Sequence, residues 1–462
     1  MPDTEEQRRS ASISGFQIKR FHLELQRREL CSKKWNKKKL VKSCSLVYYL
    51  KYILSLKKFK VKKGKNGGIQ LKAVNDMHEL EYGEKPEIVV KAPGRFHLIG
   101  EHSCFFKDKT MSMAINLPVY VAITKRDDSS LKFYFQQVNE RKKSSLTSLK
   151  LKKEDKWANA LKAVAYGFTS GGFTIGGMNI TVYSEILPSA GFGITTAIKA
   201  ASAVAIKNLY NLNCSDMELL QVIERGNRRF LKVNNFISDN FAALFSRKGS
   251  LIITDFSKNK WDYIPFNFED KKVFLVDTKV PRINIWDEES LHEPQYALLL
   301  GDLREHKSNI YGGWQYIDDV TDINEELAVV SEGVRRKLLS VLYEHHDVLE
   351  AREGIEKGDF FKFARSVNHS HETMRDMFNI SCPEIDWILK RVNELEPNLD
   401  FIRNPVTCGR ITGKGFGRCL YAIVRGSDVD NFNSKISEFE KIFGFHPAVY
   451  QVESSDGVSI VR

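Results

Sequence analysis

Apolar positions along this 462-residue chain recur with two different periods, and the changes of period mark out the elements. Short β-branched or aromatic runs predict strands over residues 87–92, 119–125, 131–135, 179–183, 273–277 and 420–424, the first of them entering a turn at Pro93-Gly94. Trp157, Leu161, Val164 and Phe168 fall three or four apart and predict a helix over 157–168. Further helices are predicted over 198–209, with Thr195-Thr196 in its opening turn, and over 325–343 and 360–377. Strands and helices interleave through both halves without the regular βαβ repeat of a doubly wound sheet, and no internal repeat is visible.

The composition, 42% hydrophobic and 28% charged with 29 Gly and 12 Pro, suits a globular chain of two or three domains. It excludes a collagenous, low-complexity or disulfide-stapled protein. The net charge of +12 first suggests a polyanionic partner, but its distribution changes that reading. Residues 1–65 hold 19 Lys/Arg against 5 Asp/Glu, whereas the remainder holds 51 against 53. The basic runs (Lys33-Lys34, Lys37-Lys38-Lys39, Lys57-Lys58, Lys62-Lys63) and the aromatics Tyr48, Tyr49 and Tyr52 therefore belong to an extension, residues 1–66, with a linker at 65–68. Three readings stand for it: a solvated, poorly ordered arm, an amphipathic arm on anionic lipid or nucleic acid, or an unused leader to a start at Met77. The body has no specific nucleic-acid signature. Cys31, Cys44, Cys104, Cys214, Cys382, Cys408 and Cys419 are odd in number and lack C-x-x-C spacing, which predicts free thiols in a reducing compartment and no zinc site. The apolar stretch 45–56 is broken by Lys51, is too short to span a bilayer, and has no signal-peptide layout, so a cytoplasmic protein is expected.

Three stretches combine glycine, hydroxyl and charge beyond what a core requires. Residues 93–102, Pro-Gly-Arg-Phe-His-Leu-Ile-Gly-Glu-His, bring Arg95, Glu101 and His102 close behind a strand. Arg95 can clamp a phosphate or carboxylate and Glu101 and His102 can bond a polyhydroxy ligand, or the group is a surface ion pair on a turn. Residues 188–197, Pro-Ser-Ala-Gly-Phe-Gly-Ile-Thr-Thr-Ala, run small residues into a helix N-terminus, an anion seat or a plain cap. Residues 409–419, Gly-Arg-Ile-Thr-Gly-Lys-Gly-Phe-Gly-Arg-Cys, are neither a Walker A loop nor a Rossmann turn, because Lys414 is followed by Gly and a strand comes next.

Taken in order, these stretches resemble the galactokinase branch of the GHMP sugar and small-molecule kinases. Residues 92–102 are similar to its signature A-P-G-R-V-N-L-I-G-E-H-T-D-Y, and 409–419 to its G-A-R-M-T-G-A-G-F-G-G-C. Ser370-His371-Glu372-Thr373-Met374-Arg375-Asp376, with Ser381-Cys382-Pro383-Glu384-Ile385-Asp386 downstream, resembles S-H-x-S-L-R-D…S-C-x-E-L-D. Ile237-Ser238-Asp239-Asn240-Phe241 resembles I-M-D-Q-F. The resemblance implies a GHMP-kinase fold of α+β class: an N-terminal domain over 67–270 and a C-terminal domain over 271–462, with the site in the cleft between them.

It also implies phosphorylation of galactose or a related sugar at the anomeric hydroxyl, with ATP as co-substrate and Mg2+. Sugar and ATP would be the small-molecule partners; the sequence does not fix the oligomeric state, and a monomer is favoured. Asp239 would accept or orient the hydroxyl proton and Arg95 would hold Asp239 and steady the phosphoryl group. Glu101, His102 and Cys104 match sugar-binding positions. Ser189, Ala190, Gly191, Phe192, Gly193, Ile194, Thr195 and Thr196 match the phosphate loop, Thr196 replacing a metal-binding serine. His371 is expected to be structural.

Departures cluster at the site. Cys104 stands for a sugar-binding Asp, and Asn227 for a magnesium-binding Glu twelve residues before Asp239. Ala190 and Phe192 fall on glycine positions of the loop and Ile194 on its first serine, while Lys414 and Arg418 add charge to the last motif. These departures support a second expectation, a catalytically impaired sugar or nucleotide sensor on the same fold.

Overall fold

The computed structural model describes residues 67–102, 109–186, 191–233, 237–256, 260–281, 331–395, 402–413 and 418–462. The basic extension, Cys104, Ser189, Ala190 and Lys414 lie outside the described residues. Gly67–Arg462 forms one compact unit. The Gly67-Gly68 pair expected in a linker instead opens helix α1 (Gly67–Tyr82). This helix seats Val74 against Val89, Tyr120 and Ala122, and its buried His78 bonds Thr181 and Thr124 at 2.9 and 3.3 Å. A start at Met77 would delete Val74 and with it that contact.

The first sheet is built on β1 (Ile88–Ile99) and the long β2 (Lys109–Arg126). β2 pairs antiparallel with β5 (Gly177–Ser184), which pairs in parallel with β3 (Ser130–Phe135), and β3 hairpins to β4 (Glu140–Ser145). β6 (Ser250–Asp255) joins the start of β2 and carries β7 (Lys260–Pro265), while β12 (Ser459–Ile460) closes the edge of β1. The second sheet is antiparallel throughout, in the order β11 (Ala448–Val452), β8 (Lys271–Asp277), β10 (Cys419–Arg425), β9 (Cys408–Ile411). Helices α2 (Ala158–Thr169), α3 (Ile194–Leu209), α4 (Asp216–Arg225) and α5 (Ile237–Phe245) belong with the first sheet, α3 lying across β1 and β2. Helices α6 (Glu332–Glu356), α7 (Phe360–Asp376), α8 (Pro383–Asn393) and α9 (Val429–Phe443) follow β8 in sequence, and α7 lies on β9.

Strand alternation divides the core. Successive side chains of β8 and β10 point to opposite faces. Leu275 and Tyr421 therefore join the cluster that holds Phe96 and Met113 of the first sheet, while Phe274 and Leu420 pack with Phe432 and Phe439 of α9. The second sheet thus leans on β1 through its inner face, which is where the chemistry-bearing residues converge.

Two expected boundaries move. β1 does not end at Pro93-Gly94: Pro93 faces Pro118, neither can donate to the ladder, and the register slips there before the strand resumes to Ile99. Arg95 and His97 are consequently strand residues on one face. The helix expected to end at Tyr343 runs to Glu356, with residues 325–330 outside the described part. Its apolar period is interrupted by Glu344 and Asp347, which are polar yet buried.

Candidate functional site

Asp239 lies in the first turn of α5, buried, and three groups converge on it. The Arg95 guanidinium forks onto both oxygens, Nη2 donating to Oδ2 at 2.6 Å and Nε lying 2.5 Å from Oδ1. His97 Nε2 lies 2.6 Å from Oδ1, and the other ring nitrogen is 2.7 Å from Ser112 Oγ on β2. Thr196 Oγ1 donates to Oδ2 at 3.5 Å from the first turns of α3. Burial opposes the charge on Asp239, but the Arg95 cation and the His97 hydrogen bond outweigh it and hold the carboxyl well below the usual range. Asp239 is an ionised carboxylate at neutral pH.

The phosphate-loop expectation needs correction. Left-handed backbone, which favours glycine, falls at Gly191 (φ 81°) and Gly193 (φ 87°), so the glycine positions are 191 and 193 rather than 190 and 192. Phe192 turns its ring into the core against Tyr450, centroids 6.0 Å apart, and only its carbonyl faces the site, accepting from Arg95 N at 3.0 Å. A Cβ at Gly193 would stand 3.1 Å from Arg95 Cγ, so glycine there lets the loop touch β1. Arg95 Nη1 also donates to Gly191 O at 3.3 Å. Helix α3 begins at Ile194, four residues before the expected start, and Gly193 offers no side-chain cap. Its first N–H groups remain a seat for an anion beside Arg95 and Thr196.

Glu101 and His102 follow β1 and are both buried. Both Glu101 oxygens lie 2.8 Å from Arg410 Nη1. The same guanidinium donates through Nη2 to Glu344 Oε1 at 2.8 Å and through Nε to Ser370 Oγ at 2.7 Å. Glu344 also accepts from Gly100 N at 2.6 Å and from the Ser370 hydroxyl. One cation thus serves two fully buried carboxylates. Burial works against the charge on each; Arg410 wins for Glu101, whose carboxyl is lowered, while Glu344 is pushed up to about 7. His102, lowered to about 4 chiefly by burial, is a neutral ring 5.7 Å from Phe378. Thr412 Oγ1 donates to His97 O at 3.0 Å and Tyr421 Oη to Leu98 O at 2.7 Å, so the corner between β9 and β10 braces the same segment.

Glu344 has a pH signature. A carboxyl raised in the fold keeps its proton while the unfolded chain releases it, so stability falls as pH rises from about 4.5 to about 7 and is flat above. Glu344→Gln keeps the acceptor for Gly100 and Arg410 but cannot ionise. Urea midpoints at pH 5 and pH 8 are expected to differ less in this variant than in the parent chain; an equal difference would contradict the assignment.

The position where the family places a magnesium-binding Glu does not fit a divalent cation. Asn227 sits in a single π-turn (Gly226–Leu231), buried, and its Oδ1 accepts from the Lys199 ammonium at 2.7 Å. A second cation there would meet the first. Glu224 Oε1 is taken by Asn227 Nδ2 (3.1 Å) and Asn240 Nδ2 (2.5 Å). Among the described residues no group of three His, Cys, Asp or Glu could hold a metal. Arg418, expected to lend charge to the last motif, faces the buried Asp277 at 3.1 Å, which Lys279 also contacts. His371 is buried, with Nε2 3.3 Å from Asp386 Oδ1.

The residues that the sequence reading left without a role are His97, Ser112, Lys199, Arg410, Thr412 and Glu344. His97 carried a signal, since it replaces the signature's asparagine. Arg410 and Thr412 lie inside a quoted motif. Ser112, Lys199 and Glu344 carried none.

Comparison with known proteins agrees with this geometry. Residues 76–125 match the galactokinase galactose-binding signature and residues 156–247 the GHMP kinases N terminal domain. A protein of Treponema pallidum (strain Nichols), provisionally named a galactokinase, is 36% identical over 393 residues, covering 85% of this chain and 97% of its own. The galactokinase of Thermotoga petrophila is 27% identical over 372 residues, covering 80% and 99%. Among solved structures, Lactococcus lactis galactokinase complexed with galactose superposes with a TM-score of 0.74 at 20% identity over 84% of this chain and 99% of that one. Methanococcus jannaschii mevalonate kinase gives 0.56 at 16% identity, over 80% and 98%. The structural likenesses establish the fold.

Proposed function

The chain belongs to the galactokinase family of GHMP kinases, and from that premise we propose that it transfers the γ-phosphoryl group of ATP to the anomeric hydroxyl of galactose. The observation that carries this reading is the convergence of Arg95 and Thr196 on Asp239 at the N-terminus of α3. The N–H groups of α3 and the loop at Gly191 and Gly193 receive the phosphates. The sugar oxygen attacks the γ-phosphorus, its proton passes to Asp239, and the bond to the β-phosphate oxygen breaks with its electron pair leaving on ADP. Asp239 is a weak base, which suits a loose transition state in which the hydroxyl loses its proton late. Its main contribution is to aim the hydroxyl, while Arg95 opposes the charge that develops on the phosphoryl oxygens.

Magnesium enters as the counter-ion of ATP, held through the phosphates. In the same reading, 67–270 is the N-terminal domain, 271–462 is the C-terminal domain, and the site lies at their junction. The protein works as a monomer in the cytoplasm. Cys214, Cys382, Cys408 and Cys419 are free thiols, and no helix among the described residues is long and apolar enough to cross a membrane. The retained Asp239–Arg95 pair favours catalysis over the sensor expectation.

A coupled ADP-release assay over a panel of hexoses tests the reading. Galactose is expected to give the highest kcat/KM, and no hexose turning over above the Asp239→Ala background would overturn it. His97→Asn, which installs the signature's residue, shortens the side chain and weakens one hold on the carboxylate. Asp239 then titrates at higher pH, and the acid limb of the kcat profile moves upward with little change in KM for galactose. An unshifted limb would mean that His97 serves packing alone.

A further inference from the structure

Asp277 ends β8 fully buried, and two cations share it. The Lys279 ammonium contacts Oδ2, while Arg418 donates from Nη2 to the same oxygen at 3.3 Å and has Nε 3.1 Å from Oδ1. Among the described residues no second carboxylate pairs with either cation, so the group carries one net positive charge. Both cations stand on left-handed backbone, Lys279 at φ 64° and Arg418 at φ 122°. Glycine adopts the second value freely and an L side chain rarely does, and the motif that residues 409–419 resemble has glycine at this point. Lys279 alone neutralises Asp277, so that carboxylate does not account for the strain held at Arg418. We propose that Arg418 is a nucleotide-binding residue whose spare positive charge takes the phosphate chain of ATP. The inference rests on the kinase reading above.

The register of the second sheet places the group. Cys419 lies opposite Asp277 across β8 and β10, and opposed residues of an antiparallel pair project from one face. That face is the inner one, since Cys419, Tyr421 and Leu275 belong to the cluster that holds Phe96 and Met113. The Cys419 thiol packs directly on the phosphate loop, where a Cβ at Gly191 would collide with its Sγ. Asp277 and its cations are thus one side chain removed from Gly191, whose carbonyl accepts from Arg95 Nη1 at 3.3 Å. The Arg418 side chain keeps 25% of its surface exposed while that of Asp277 keeps none, so the guanidinium is open to a ligand from solvent. Of its fork of N–H donors only Nη2 meets Asp277 in hydrogen-bond geometry, and Nε is buried without an acceptor. Donors remain for phosphate oxygens, which a guanidinium binds through two parallel bonds.

Calorimetric titration of the full chain with a non-hydrolysable ATP analogue and Mg2+ tests this. Arg418→Gly relieves the backbone and leaves Asp277 paired with Lys279, and retained galactose affinity shows that the variant is folded. Its affinity for the analogue should fall about tenfold or more. The affinity should also weaken less steeply with added NaCl than the parent's, because a screened charge contact has gone. Arg418→Lys, which keeps the charge, should bind better than Arg418→Gly. Unchanged affinity in Arg418→Gly, or a loss with the parent's salt dependence and no advantage for Arg418→Lys, would overturn the proposal. Pyrophosphate should compete with the analogue; pyrophosphate that binds the parent beside saturating analogue, and does not bind Arg418→Gly, would assign the charge to a separate anion and overturn it too. Failure of the kinase reading looks different, because the parent chain would then bind no nucleotide at all.

Discussion

Asp239→Asn is expected to lower kcat for galactose by about 10³-fold while KM for ATP stays within a few-fold of the parent. The side chain keeps its shape and one carbonyl oxygen for Arg95, so the fold is retained. What goes is the negative charge that aims the sugar hydroxyl and the acceptor for its proton. Loss of that charge leaves the Arg95 guanidinium, now 2.6 Å and 2.5 Å from the carboxylate oxygens, less neutralised and no less attractive to phosphate. Rapid-quench single-turnover kinetics separates the two effects: the chemical step slows and nucleotide binding does not. A rise in KM for ATP with kcat preserved would assign Asp239 to nucleotide binding instead.

The second large effect is on stability. Arg410→Leu removes the cation that holds Glu101 and Glu344, all three side chains being fully buried. Breaking a buried pair costs ~3–5 kcal/mol because the abandoned charge remains inside, and here two carboxylates are abandoned with the Ser370 hydroxyl. The segment from Leu98 to Glu101 loses its brace, so the variant is expected to unfold at much lower urea and to bind galactose poorly even where folded. Adding Glu101→Gln to Arg410→Leu removes one stranded charge and should restore part of the stability. If the double variant is no more stable than the single one, the network is not what anchors β1.

Much of this arrangement was legible along the chain, and what was not has a physical reason. Arg95 is legible from its own setting, a charged residue straight after Pro93-Gly94 at the end of an apolar run, whereas Asp239 is legible only through the resemblance of residues 237–241 to a family motif. The strand through Pro93 was missed because proline usually ends a ladder; here two prolines face each other across a slip in register. The loop was read one residue out because glycine count alone cannot say which residues take positive φ, a choice made by the burial of Phe192. Glu344 and Asp347 ended the predicted helix at Tyr343 because buried carboxylates look like solvent-facing ones until their partner is known. That partner, Arg410, lies 66 residues from Glu344 and 309 from Glu101, a separation without local signature. Lys199 resembled any helix lysine until the fold set it against Asn227.

The most direct test of the central claim is phosphorus NMR of the reaction itself, with the full chain, MgATP and galactose. A sugar 1-phosphate resonance should grow in step with ADP, and it should be lost in Asp239→Asn. ADP accompanied only by inorganic phosphate, or the same sugar phosphate formed at an undiminished rate by the variant, would contradict it.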